Sequence, residues 1–119
     1  MTRDHLPITP DPDLTIDELN ETVTTLDERS TITLRRYRRK GTTDSLPLLI
    51  YIHGGGFVTG GLETDDSLCR AIAKNIDVLV LNVKYRLAPE CPFPTGFEDC
   101  LQVIQWVSQR YYPDILDLY

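Results

Sequence analysis

No stretch of this sequence stays apolar over the ~20 residues that a membrane-crossing helix requires. Basic residues are in the minority, 12 Lys and Arg against 18 Asp and Glu, for a net charge of −6. Nucleic-acid binders gain affinity by neutralising phosphates with Lys and Arg, so no nucleic-acid partner is expected. There are three cysteines, Cys69, Cys91 and Cys100, and no C-x-x-C pair, which suggests neither a disulfide framework nor a zinc site. Free thiols fit a reducing compartment. The leading segment MTRDHLPITPDPDL holds three prolines and three aspartates and no apolar core, unlike a secretory signal. A cytoplasmic protein is the expectation. Histidine is nearly missing as well. His53 has no second His, Cys or carboxylate at ligand spacing, so neither a metal nor a cofactor is expected.

The 119 residues are enough for one small domain, and the 41% hydrophobic and 25% charged fractions are those of a globular chain. The first 29 residues read as an N-terminal segment. Thr15 and Glu18 form a capping-box pattern, and Ile16, Leu19, Val23 and Leu26 recur at helical spacing, which predicts a short amphipathic helix. A strand is predicted between Ser30 and Arg39, where Ile32 and Leu34 alternate with threonines. The run Arg35 to Lys40 matches a basic patch, but in an acidic protein it reads better as an exposed, salt-bridged strand end.

Leu48 to Ile52 is a continuous apolar run bounded by turn residues, as in a parallel strand buried on both faces. Glycine-rich residues 54–61 follow it. Asp65 or Asp66 is placed to cap a helix through Leu68, Ala71, Ile72 and Ala73. Val78 to Val83 is a second apolar strand, completing a βαβ unit. Residues 96–111 predict a last helix with Phe97, Cys100, Leu101, Ile104 and Val107 on one stripe. Cys100, Trp106 and this stripe are expected core. The fold class is α/β, with a mostly parallel sheet flanked by helices.

The chemistry is concentrated in Ile50-Tyr-Ile-His-Gly-Gly-Gly-Phe-Val-Thr-Gly-Gly61. Three glycines at the carboxyl end of a strand remove every Cβ and allow positive φ, so adjacent amides can point into one small volume. Ligands bind open α/β sheets at that end. With Tyr85-Arg-Leu-Ala-Pro-Glu90 and Pro92-Phe-Pro94 at their distance downstream, the sequence resembles the hormone-sensitive lipase family of α/β-hydrolases, from about Ile32 to Val107.

That resemblance implies an esterase or lipase mechanism acting on a small ester, with the Gly55 and Gly56 amides as oxyanion donors. His53, Gly54 and Phe57 would support the loop. Tyr85, Arg86 and Glu90 would be scaffold, with Arg86 and Glu90 an ion pair. The N-terminal segment would contribute to a cap. The family's G-x-S-x-G elbow has no counterpart among Ser30, Ser45, Ser67 and Ser108, and neither His5 nor His53 stands at the base position. No nucleophile, acid or base is therefore assigned. The expectation is an incomplete α/β-hydrolase fold, with residues 30–111 its N-terminal part and 112–119 a divergent tail. It stops before the nucleophile-elbow strand, as a truncated gene model, splice product or pseudogene remnant would. A non-catalytic fragment or a small-molecule-binding relative is the alternative. Without the elbow strand the edge of Leu48–Ile52 is bare, an open route to self-association.

Overall fold

The computed structural model describes residues 7–19, 23–42 and 45–111. Four strands and two helices follow one another as β1 (Leu14–Leu19), β2 (Thr33–Arg39), β3 (Leu48–Ile52), α1 (Asp66–Asn75), β4 (Leu79–Lys84) and α2 (Thr95–Tyr111). The sheet order is β1-β2-β4-β3. The β3–β4 ladder is parallel and the other two are antiparallel. The predicted βαβ unit is thus β3-α1-β4, with β4, the most buried strand, in the interior of the sheet.

The N-terminal helix is corrected to a strand. Six residues, LTIDEL, are too few to separate a period of 3.6 from a period of 2, and pairing with β2 decides between them. Ile16 lies opposite Tyr37, Asp17 opposite Arg36 and Glu18 opposite Arg35. The Glu18 carboxylate, expected to cap a helix, accepts from Arg35 Nη2 at 3.3 Å. Residues 20–22 of the predicted helix lie outside the described set. Beyond them, Val23 is buried and Leu26 exposed, in a hairpin closed by the Thr24–Thr31 bridge.

The two faces of the sheet bury different side chains. Leu34, Leu81 and Val83 pack with Cys100, Val103 and Val107 of α2. Tyr37 and Val80 pack with Cys69 and Ala73 of α1. The predicted stripe on α2 is out of phase. Cys100 and Val107 face the sheet as expected, but Val103 joins them, while Phe97, Leu101 and Ile104 are exposed. The apolar arc of this helix is wider than the side the sheet covers, so spacing alone does not fix its rotation.

β3 is not buried throughout. Leu48 and Ile50 touch the α2-side core and Leu49 and Tyr51 the α1-side core. Its far edge meets no other described strand, and Ile52 is exposed. The basic run is ion-paired, as expected, but not at an exposed end. Arg35 is 1% exposed, between Glu18 (3.3 Å), Glu63 (2.8 Å) and Asp66 (3.2 Å). Arg36 pairs with Asp17 at 2.5 Å, and Arg39 pairs with Asp77. Arg35 sits deep because its β4 partner, Asn82, is a central position of the sheet.

Candidate active site

β3 and β4 end side by side, with Ile52 paired to Val83, and the next residues bring His53 and Tyr85 together. The two rings stack with centroids 4.2 Å apart and planes 12° apart. The Tyr85 hydroxyl donates to the His53 carbonyl at 2.8 Å and lies 3.2 Å from Nδ1. Nδ1 is also 3.0 Å from the Gly54 carbonyl, so an Nδ1 proton has an acceptor. Nε2 is buried with no partner among the described residues. Burial pushes the Tyr85 phenol above its ordinary value, which keeps it a neutral donor.

The loop after His53 is held in conformations that L side chains rarely adopt. Gly55 has φ +132°, Gly56 +63° and Phe57 +63°. A Cβ on Gly55 would lie 2.2 Å from the Thr59 carbonyl oxygen, so glycine is required there. Phe57 bears the left-handed backbone without that freedom, at a cost of about 1–3 kcal/mol. It is held by Ala88 N–H donating to its carbonyl at 2.8 Å and by packing on Tyr85 and Phe93. The Val58 and Thr59 amides close the turn on the Gly55 carbonyl. The Gly55 and Gly56 amides have no acceptor among the described residues, and both glycines are exposed.

Two further glycines set close approaches. A Cβ on Gly60 would meet His53 Nδ1 at 2.6 Å, so the loop's return strand lies directly on the imidazole. A Cβ on Gly96 would meet the Arg86 carbonyl at 2.7 Å, which lets the first turn of α2 lie against the end of β4. Neither glycine stood out in the sequence beside the run at 54–56.

Arg86 and Glu90 do not form the expected ion pair. Arg86 turns instead to Asp99, which is fully buried at the start of α2. Asp99 accepts from the Arg86 amide (2.9 Å), Nε (3.0 Å) and Nη2 (2.9 Å). The remaining Nη1 donates to Asp27 of the hairpin at 2.9 Å. Arg86 thus ties three segments together around the end of β4. Its hydrogen bond, with those of Thr25 and the Arg29 amide, holds the Asp27 carboxyl well below the usual range. The Asp99 signal was readable as an acid at the start of a predicted helix, but its partner was not.

A second network anchors the stretch between loop and α1. Asp65 occupies the N-cap of α1, yet its carboxylate makes no cap bond and accepts from Tyr51 at 2.6 Å. Asp66 accepts from Tyr37 (2.6 Å), Arg70 (2.7 Å) and Arg35 (3.2 Å). Asn82 donates to the Leu62 carbonyl at 2.9 Å. Burial raises the Cys69 thiol to about 12 and the Cys100 thiol to about 11, which keeps these two protonated and unreactive.

Among the described residues no serine hydroxyl is within hydrogen-bonding distance of His53, and no three His, Cys, Asp or Glu side chains gather as a metal site. Nor is any helix long and apolar enough to cross a membrane.

A glycine loop with free amides at the carboxyl end of a βαβ unit stands where open α/β sheets bind their ligands. The chain is a member of the α/β-hydrolase fold family, in its hormone-sensitive-lipase-like branch. The family model described as alpha/beta hydrolase fold matches residues 49–115. Carboxylesterase NlhH of Mycobacterium tuberculosis is 42% identical over 79 residues, 66% of this chain and 25% of that protein. The versiconal hemiacetal acetate esterase of Dothistroma septosporum is 42% identical over 77 residues, 65% of this chain and 24% of that protein. A hyperthermophilic esterase from the archaeon Pyrobaculum calidifontis superposes with a TM-score of 0.73 at 36% identity, covering 82% of this chain and 29% of that one. The chain spans about a quarter of the length of the curated relatives it matches.

Proposed function

We propose that residues 1–119 form the oxyanion side of a carboxylic ester hydrolase acting on small esters. The observation that carries this reading is the pair of exposed, unpartnered amides at Gly55 and Gly56, on a turn held by the Val58 and Thr59 hydrogen bonds to the Gly55 carbonyl and by the close approach of Thr59 to Gly55. Donors fixed before reaction stabilise a tetrahedral oxyanion without reorganising, and removing one costs about 10²–10³ in rate. The esterase names of the relatives support the substrate class. No nucleophile–base pair is found among the described residues, so catalysis would take its Ser, acid and His from elsewhere in the polypeptide.

A chimera tests the assignment. Residues 30–107 of this chain replace the matching segment of the Pyrobaculum calidifontis esterase, and hydrolysis of p-nitrophenyl butyrate is followed. The chimera is expected to turn over, and Gly56→Pro, which deletes one amide and whose fixed negative φ also displaces the left-handed turn, to lower kcat by at least about 10²–10³. Unchanged kcat in a folded Gly56→Pro chimera would refute the oxyanion role. The 119-residue chain alone is expected to show no hydrolysis above a Gly55→Val control. Turnover there would show a nucleophile that the sequence reading does not assign.

A further inference from the structure

A second site lies on the same end of the sheet, one strand away from the glycine loop. Thr33, the first residue of β2, is paired directly with Lys84, the last of β4. Residues opposite one another in an antiparallel ladder project to the same face. Around them a solvent-open cavity of about 290 Å³ is lined by Thr33, Thr31, Ser30 and Lys84. Tyr85 and Leu87 supply an apolar wall, and Gly60 closes the side toward the loop.

The want of an ion-pair partner for Lys84 sets this cavity apart. Arg35, Arg36, Arg39, Arg70, Lys74 and Arg86 each hold a carboxylate. Lys84 holds none among the described residues, although it is half-buried. Arg86 also borders the cavity, but its charge is met by Asp99 and Asp27. The cavity therefore offers a lysine with no ion pair among the described residues, the hydroxyls of Thr31 and Thr33, and an apolar wall.

We propose that this cavity binds a small monocarboxylic acid, with the carboxylate on Lys84 and the Thr31 and Thr33 hydroxyls and its short chain on Tyr85 and Leu87. The volume admits a ligand of a few heavy atoms. A phosphate dianion is a poorer match, because one cation balances only one of its two charges. The site stands on its own geometry and does not depend on the ester-hydrolase reading.

Amide chemical shifts of the ¹⁵N-labelled full chain, titrated with butyrate, butyramide or inorganic phosphate at constant ionic strength, test the proposal. Butyrate is expected to move the Thr31, Thr33 and Lys84 amides saturably, about tenfold tighter than butyramide, the size of one charge-assisted hydrogen bond. Phosphate is expected to bind more weakly than butyrate. Lys84→Met should abolish the response, Lys84→Arg should retain it, and Lys40→Met, at an exposed lysine, should leave it unchanged. If Lys84→Met fails to fold, Thr33→Val and Thr31→Val are expected to weaken butyrate severalfold on the same readout. Equal binding of butyramide would overturn the site. So would phosphate binding as tightly as butyrate, a response confined to Gly55 and Gly56, or no saturable response.

Discussion

The hydroxyl of Tyr85 donates to the main-chain carbonyl of His53 at 2.8 Å, while the two rings stack 4.2 Å apart. One side chain thus joins the last turns of β3 and β4, and it does so on the residue from which the glycine loop departs. Phe57 leans edge-on against the same Tyr85 ring from the far end of the loop, with ring centroids 5.3 Å apart. The loop conformation is consequently a property of the strand ends as much as of its glycines.

Tyr85→Phe isolates that bond. The ring stack survives, but the buried His53 carbonyl loses its donor, a loss of about 1–3 kcal/mol. We expect a lower urea midpoint with unchanged slope, together with faster hydrogen exchange at residues 54–57. Exchange in the loop matching that of the unsubstituted chain would show that Tyr85 does not restrain it.

The glycines of the loop differ in what a methyl group would meet. At Gly55 it would strike the Thr59 carbonyl at 2.2 Å, and at Gly60 the His53 ring at 2.6 Å. At Gly56 nothing lies within 4 Å, leaving only the left-handed φ of +63°, a cost of about 1–2 kcal/mol. Gly55→Ala and Gly60→Ala are therefore expected to lower the melting temperature more than Gly56→Ala. A ranking with Gly56→Ala as the most damaging substitution would contradict this loop geometry.

Long, uniform signals made much of this fold legible in the sequence. Leu48–Ile52 and Val78–Val83 are apolar runs with glycine, proline or aspartate at their ends, and these features do not depend on a partner. The triple glycine marks the candidate site for the same reason. What escaped depends on tertiary contact. β1 is a strand only because β2 supplies Tyr37 and Arg35 opposite Ile16 and Glu18. Val103 and Ile104 are adjacent apolar residues of one helix, and only the sheet selects Val103 for burial. The partner of Arg86 was misassigned to nearby Glu90, because an acid 13 residues away is invisible without the fold. The left-handed backbone of Phe57 has no local signal, since its restraints come from Ala88, Tyr85 and Phe93.

Acid should loosen the α1 side of the sheet first. Burial alone would raise the Asp66 carboxyl, but hydrogen bonds from Tyr37, Arg70 and Arg35 outweigh it and hold the group below its ordinary 3.8. A folded value below the unfolded one means that the stabilisation is complete above the unfolded value. It is lost as pH falls below 3.8 toward the folded value. Asp66→Asn is expected to lower the urea midpoint at about pH 6 by the equivalent of about 1–3 kcal/mol and to flatten the further loss between about pH 5 and pH 2. An unchanged pH profile in the variant would place the acid sensitivity elsewhere.

The open edge of β3 is expected to drive self-association. Ile52 is 41% exposed at its end, and Phe97, Leu101 and Ile104 of α2 present a further apolar face with no cover among the described residues. Unpaired strand edges template pairing with other chains, and contiguous apolar patches add to the drive. Sedimentation velocity of the 119-residue chain is expected to show mass-dependent association rising with concentration. Lysine at such an edge opposes pairing because the incoming strand must desolvate a charge. Ile52→Lys with Ile104→Lys should therefore shift the population toward monomer, with little change in far-UV circular dichroism, because neither side chain is buried. A monodisperse wild-type monomer with a cooperative melt at all concentrations would refute edge-driven association. Association that persists unchanged in the double-lysine variant would assign it to another surface.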